Sequence, residues 1–185
     1  MSSVIAATPL VFRHATLADT DALIALVESA YRGDASRAGW TTEADLLDGR
    51  RTGADDIHDC VNRERSVILI AETAAADGAP QMLACAHIAE EEGAGYFGMF
   101  SVQPNLQGGG IGKRVIDEAE RIVRDEWHLP AMRMTVIDVR NELIAFYERR
   151  GYVRTGKLKP FPYGDERFGL PKRDDLRFEV LEKAL

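Results

Sequence analysis

Apolar residues along the chain alternate between unbroken or period-two runs and a spacing near 3.6, and each switch predicts a new element. Leu10, Val11 and Phe12 make a short strand. Leu17, Leu23, Ile24, Leu26, Val27, Ala30 and Tyr31 then recur at helical spacing, with Thr16 and Asp19 placed to cap the start. Thr41-Thr42-Glu43 predicts a short helix running through Leu46 and Leu47, and a further helix is expected over about residues 54–63. Val67, Ile68, Leu69 and Ile70 form a continuous apolar run, as a strand buried on both faces does. Ala76-Asp77-Gly78 reads as a turn, residues 81–88 as the next strand, and Glu90-Glu91-Glu92-Gly93 as an acidic hairpin turn.

The most informative stretch follows. Tyr96, Phe97, Met99, Phe100 and Val102 predict a buried strand, closed by a turn at Gln103-Pro104-Asn105. Next comes Gln107-Gly108-Gly109-Gly110-Ile111-Gly112-Lys113-Arg114, from which Ile111, Val115, Ala119, Ile122 and Val123 mark one face of a helix. Residues 132–137 alternate as a strand, residues 141–150 read as a helix stopped by Gly151, and strands are expected over 152–155 and 176–181. Residues 157–173 are the one long connection without a pattern, and residues 1–9 read as a flexible leader to a single domain over 10–185. The order β-α-α-β-β-β-α-β-α-β-β predicts an α/β (α+β) mixed sheet with helices on both faces.

Four glycines within five residues, between a strand and the first turn of a helix, carry chemistry. The first N–H groups of a helix have no partner within it, and the helix dipole places partial positive charge there. Glycine lets the backbone approach a ligand closely, so the segment suits a phosphate or pyrophosphate. A phosphate-binding loop of the ATPase kind would need Gly where Gln107 stands and Ser or Thr where Arg114 stands. A dinucleotide fingerprint would need a third glycine at Val115. Both fail.

Composition narrows the partners. Lys and Arg number 23 against 30 Asp and Glu, a formal net charge of −7, and no basic run is present, so nucleic acid is not expected. An acidic surface mildly favours cationic substrates by steering. No apolar stretch reaches a membrane span of about 18 residues, and residues 1–8 lack the basic start and apolar core of a signal peptide. Cys60 and Cys85 are too few for a disulfide framework or a metal site, so a cytoplasmic protein without a metal is expected.

The pattern Gln-x-x-Gly-x-Gly at Gln107, Gly110 and Gly112, after a strand ending Ser-Val-x-Pro, resembles the pyrophosphate motif of the GNAT N-acetyltransferase superfamily. The run Asn141-x-x-x-Ala145-Phe146-Tyr147-x-x-x-Gly151-Tyr152 resembles that family's second half, so the likeness covers nearly the whole chain from about Leu10. It implies a sheet of about seven strands, splayed between the fourth and fifth, and acetyl-CoA as donor. Phe100, Ser101 and Val102 would then hold the pantetheine arm through main-chain groups, and residues 107–113 would cradle the pyrophosphate. Tyr147 aligns with the family tyrosine that protonates the departing thiolate. Asn141 would bond the cofactor or cap its helix.

Some family members carry a glutamate base on the central strand where Tyr96 stands here, which leaves Glu90, Glu91, Glu92 and His87 as alternatives and none assigned. Trp40, Glu43, Tyr96, Phe161 and Tyr163 are the candidates for the acceptor site. Trp40 equally suits a packing role and Glu43 an ordinary first-turn acid, while Tyr147 could simply fill core. Cys85, mid-strand with no base beside it, suits a buried small residue better than an acyl-carrying nucleophile. The expected activity is acetyl transfer to a small-molecule primary amine. The alternatives are a protein lysine or N-terminus as acceptor, or a regulatory module that binds acyl-CoA without turnover. Resemblance also implies a homodimer.

Overall fold

The computed structural model describes residues 9–185; the leader expected over 1–9 therefore falls, except for Pro9, outside the described residues. The elements are β1 (Val11–His14), α1 (Thr20–Tyr31), β2 (Leu47–Asp48), α2 (Ala54–Asn62), β3 (Ser66–Ala74), β4 (Pro80–Glu91) and β5 (Ala94–Val102). They continue with α3 (Ile111–Arg121), β6 (Ala131–Ile137), α4 (Asn141–Glu148), β7 (Val153–Pro160), β8 (Leu170–Pro171) and β9 (Arg177–Ala184). Seven strands form one mixed sheet in the order β1-β3-β4-β5-β6-β9-β7, as expected.

Two apolar layers hold the helices to the sheet. One packs Val115, Ile116, Ala119, Ile122 and Val123 of α3 and its extension, with Leu143, Ile144 and Tyr147 of α4, against Ala84, Ala86, Phe97 and Met134. The other packs Leu23, Leu26, Val27 and Ala30 of α1 and Ile57 of α2 against Ile68, Ile70 and Cys85. Adjacent residues of β3 and β4 thus face opposite layers, which is why their sequences read as continuous apolar runs. On α3, Glu120 is buried and accepts from the Tyr152 hydroxyl (3.0 Å) and Lys183 Nζ (2.9 and 3.0 Å), so its charge is compensated.

The decisive feature is the β5–β6 junction. These parallel strands pair only at Gly95 with Met132 and Tyr96 with Arg133, and then separate. On its other edge, β5 carries an extra residue against β4 between the pairs Cys85–Ser101 and His87–Gly98. Met99, at φ +52°, sits in that bulge; a left-handed backbone at a non-glycine residue costs on the order of 1–3 kcal/mol. Residues 98–102 are thereby turned away from β6 as the two strands part.

Two expectations fail. No helix forms over 41–47: Thr42 Oγ1 accepts from Ala44 N–H (3.1 Å), Glu43 turns inward, and Leu47 pairs with Pro171. Nor is the segment 157–173 unstructured, because β7 extends to Pro160, and β8 pairs with β2 around buried Leu47, Phe161 and Leu176. Local pattern could not show either, since β2 and β8 are two residues each and depend on one another.

The closed part of the junction is tightly packed. A Cβ at Gly95 would lie 2.6 Å from Val123 Cγ2 and 2.7 Å from Cγ1. Gly95→Ala should therefore cost about 1–3 kcal/mol by overpacking, read as a lower midpoint of denaturant unfolding. An unchanged midpoint would mean that Val123 does not press on the strand.

Candidate active site

Where β5 leaves β6 the sheet opens on a cavity of about 630 Å³. Its walls include Tyr96, Met99 and Phe100 of β5, Val136 and Ile137 of β6, and Leu143 and Tyr147 of α4. Tyr31, Arg32, Glu43, Arg51 and Thr52 close it from the α1–α2 side, with Arg140 before α4, and Phe161, Pro162 and Phe168 cover it after β7. Tyr147, Tyr96 and Phe161 thus stand where a reacting centre could sit. Tyr147 is buried, and burial holds its phenol well above the ordinary range, so it keeps its proton at neutral pH.

The glycine segment lies outside this cavity and meets it through β5 and α4. Gly110 caps α3 at φ +87°, and Gly108 has the same φ; a Cβ on either would meet no protein atom. The requirement at Gly110 thus comes from backbone conformation and open space in front of the helix, not from crowding within the protein. Gly112 is different, since its Cβ would lie 3.0 Å from the Phe100 ring. The first N–H groups of α3, beginning at Ile111, have no partner within the helix, so they are available to an anion. These features fit a pyrophosphate at the α3 N-terminus and a pantetheine arm along residues 100–102. Lys113 pairs with Asp117 (2.9 Å) on the exposed face of α3.

Other predicted residues do different work. Gln107 spends its side chain within the protein: Oε1 accepts from the N–H groups of Trp40 (2.9 Å) and Thr41 (3.3 Å), and Nε2 donates to Val102 O (3.1 Å). It ties the loop after α1 to the end of β5. Trp40 is not a cavity wall; its ring packs 5.2 Å from Phe146, which continues to Phe100 and Tyr147. Tyr163 is also outside, exposed, its hydroxyl donating to Arg173 O and accepting from Leu176 N–H (both 2.9 Å). Asn141 is the exposed first residue of α4 and makes no capping bond; Arg140 holds the cap position. Ser101 is buried, its hydroxyl donating to Met99 O (3.2 Å).

Glu43 is buried in the wall but already engaged. Arg32 Nη1 bonds one carboxylate oxygen, and Arg140 Nη1 lies 2.9 Å from the other. Burial alone would raise its pKa, yet Arg140, Arg32 and Arg51 outweigh burial and lower it. Glu43 is a structural anion rather than a free partner for a cationic amine. His87 lines the cavity, but burial, assisted by Arg63, lowers its pKa to about 4, and Nε2 bonds Ser66 Oγ at 2.8 Å. Cys85 is buried within β4, where burial pushes its thiol up to about 12, so at neutral pH it stays protonated and is a poor nucleophile. Of the acidic turn, Glu91 lines the cavity, and Glu90 pairs with Arg65.

Sequence reasoning missed Tyr31, Arg51, Thr52 and Arg140. Tyr31 was read only as the end of a helix; its hydroxyl donates to Phe100 O, a main-chain group of the bulge. Arg51 sits in a polar break that reads as a solvated turn, and only the fold turns it inward.

A mixed sheet that opens beside a glycine-rich helix N-terminus defines a site for a long ligand, with phosphate at one end and the reacting group at the other. The sequence matches the acetyltransferase (GNAT) family over residues 25–152, and the chain belongs to that family. It is therefore an N-acetyltransferase with acetyl-CoA as acyl donor. Solved structures share the fold. A ribosomal-protein-alanine N-acetyltransferase from Brucella melitensis superposes with a TM-score of 0.66 at 22% identity, over 95% of this chain and 99% of that one. An assigned streptothricin acetyltransferase from Bacillus anthracis, in complex with acetyl coenzyme A, gives 0.56 at 18% identity over 70% and 68%. The spermidine/spermine N-acetyltransferase of Vibrio cholerae gives 0.62 at 13% identity over 95% of each chain. The sequence matches no curated protein.

Two outcomes follow. Gly110→Glu places a carboxylate before the helix N-terminus and strains a left-handed position; it should abolish acetyl-CoA binding in calorimetry, with a stability loss of about 1–2 kcal/mol. Unchanged affinity would remove the glycine segment from the cofactor site. His87, whose pKa is lowered in the folded state, binds more protons unfolded between pH 4 and 6.5. Its contribution is therefore complete above pH 6.5 and is lost on acidification toward pH 4, up to about 3 kcal/mol. His87→Asn should flatten that limb of a stability–pH profile.

Proposed function

We propose that the protein acetylates the primary amine of a small molecule held in this cavity, by direct attack of the amine with Tyr147 as general acid. The observation that carries the reading is that Tyr147 lines the same cavity as Met99 and Phe100, at the mouth of the β5–β6 split. Acetyl-CoA, when bound, supplies an acetyl group already activated as a thioester. Main-chain groups of Phe100, Ser101 and Val102 receive the pantetheine arm as an added strand, and residues 108–113 hold the pyrophosphate. The Tyr147 hydroxyl donates its proton to the departing sulfur, which its raised pKa keeps available at neutral pH. Glu91, half-exposed and held by a single 3.3 Å pair with Arg63, takes the proton of the amine through water, since His87 is bonded and weakly basic and buried Glu43 is neutralised by two arginines.

The cover formed by Phe161, Pro162 and Phe168 supports a small acceptor over a protein chain, which would need an open groove. Two unpaired thiols support a cytoplasmic setting, and no helix among the described residues is long and apolar enough to cross a membrane. Thiol release from acetyl-CoA across a panel of amines tests the reading. Amine-dependent release is expected, whereas binding without release would identify an acyl-CoA sensor. Tyr147→Phe should lower kcat by about 100-fold with acetyl-CoA affinity retained. Full turnover in that variant would remove Tyr147 from the mechanism.

A further inference from the structure

The cavity holds more positive charge than the protein itself neutralises. The guanidinium groups of Arg32, Arg51 and Arg140 stand beside the carboxylate of Glu43, which pairs with Arg32 and Arg140 only; Arg167, Lys159, Asp56 and Glu91 also border the cavity. Arg51 has no ion pair or side-chain hydrogen bond among the described residues; its guanidinium lies over the Tyr31 ring, 5.4 Å from the centroid. Glu43 and Glu28 act on it only at longer range. Glu28 is committed elsewhere, because its Oε1 accepts from the backbone N–H groups of Arg51 (2.6 Å) and Thr52 (2.9 Å). That clamp fixes the Arg51–Thr52 segment to α1 and so fixes where both side chains can reach.

Two further donors at the same wall lack partners. Thr52 is 3% exposed, and its Oγ1 has no hydrogen-bond partner; Arg32 is 7% exposed, and its Nε has none either. Buried donors left unpaired are costly, and a buried cation without a counter-charge more so. The other cavity carboxylates do not answer them: Asp56 accepts from Gly53 N–H (2.9 Å) at the start of α2, and Glu91 pairs with Arg63 (3.3 Å). The cofactor's phosphates do not answer them either, because none of residues 107–113 borders this cavity.

We infer that Arg51 forms an anion subsite for the acceptor, whose substrate is an amine that also carries a compact oxyanion such as a carboxylate. The inference deepens the proposed function and rests on it. The Arg51 guanidinium offers paired N–H donors to two oxygens, a geometry that matches a carboxylate. Anchored there, the molecule extends past Tyr31 toward Phe100 and Tyr147, so its amine reaches the point where β5 and β6 separate. The order of charge explains selection: the anionic end meets Arg51, which has no ion pair among the described residues, and simple cationic polyamines meet an arginine wall.

The test is thiol release from acetyl-CoA with matched pairs, each an amino acid and its neutral carboxamide, using wild type and Arg51→Gln. The wild type should prefer the carboxylate member by about 10- to 100-fold in kcat/KM, the worth of one charged hydrogen-bonded pair. Arg51→Gln should erase that preference through KM, with calorimetric acetyl-CoA affinity and the unfolding midpoint close to wild type. Release that is equal or faster with the carboxamides would overturn the anion subsite and leave the acetyltransferase reading standing. Loss of acetyl-CoA affinity in Arg51→Gln would also overturn it, by assigning Arg51 to the cofactor. Absence of release with every amine would overturn the proposed function, and the subsite with it.

Discussion

Two parallel strands that pair for two residues and then part are the constraint on which the rest of this protein depends. A sheet that stayed zipped would satisfy its own backbone and leave nothing for a ligand to bond. The split after Tyr96 and Arg133 instead turns an edge of β5 toward a cavity, and the bulge at Met99 keeps it there. The strain of a left-handed Met99 is borne by the layers on both faces, where α3 and α1 clamp the same strand. Gly95 and Val123 fix where the split begins, and Gln107 fixes where it ends by bonding both Val102 and the loop at Trp40.

The sheet and the α3 N-terminus were legible in the sequence because their signals are local. Continuous apolar strands, a helix with one charged face and glycines between them each follow from a few neighbouring residues. The acceptor end was not legible. Glu43 was a candidate for a cationic amine, or equally an ordinary first-turn acid, and nothing local showed the two arginines that claim it; Arg51 lies in a polar break, and distant segments turn both inward. The paired strands β2 and β8 show the same limit, since neither two-residue strand has a pattern of its own. Trp40, chosen for its size, proved to serve Phe146 and the loop rather than the cavity.

Charge offers a related lesson about scale. The chain as a whole is acidic at −7, which on its own favours cationic ligands by long-range steering. Inside the cavity the balance reverses, because Arg32, Arg51, Arg140, Lys159 and Arg167 outnumber Glu43, Asp56 and Glu91 along its walls. At contact distance and low effective dielectric the local groups outweigh the distant surface. Net charge therefore speaks to approach, and the cavity walls speak to what is held.

The central claim is that the split sheet and the glycine-capped helix together bind acetyl-CoA. Calorimetric titration with acetyl-CoA, repeated with CoA and with ATP, addresses it without reference to any acceptor. The account predicts one-to-one binding of both CoA species and none of ATP. Failure of acetyl-CoA to bind would contradict it, and would reduce the glycine segment to a turn between a strand and a helix.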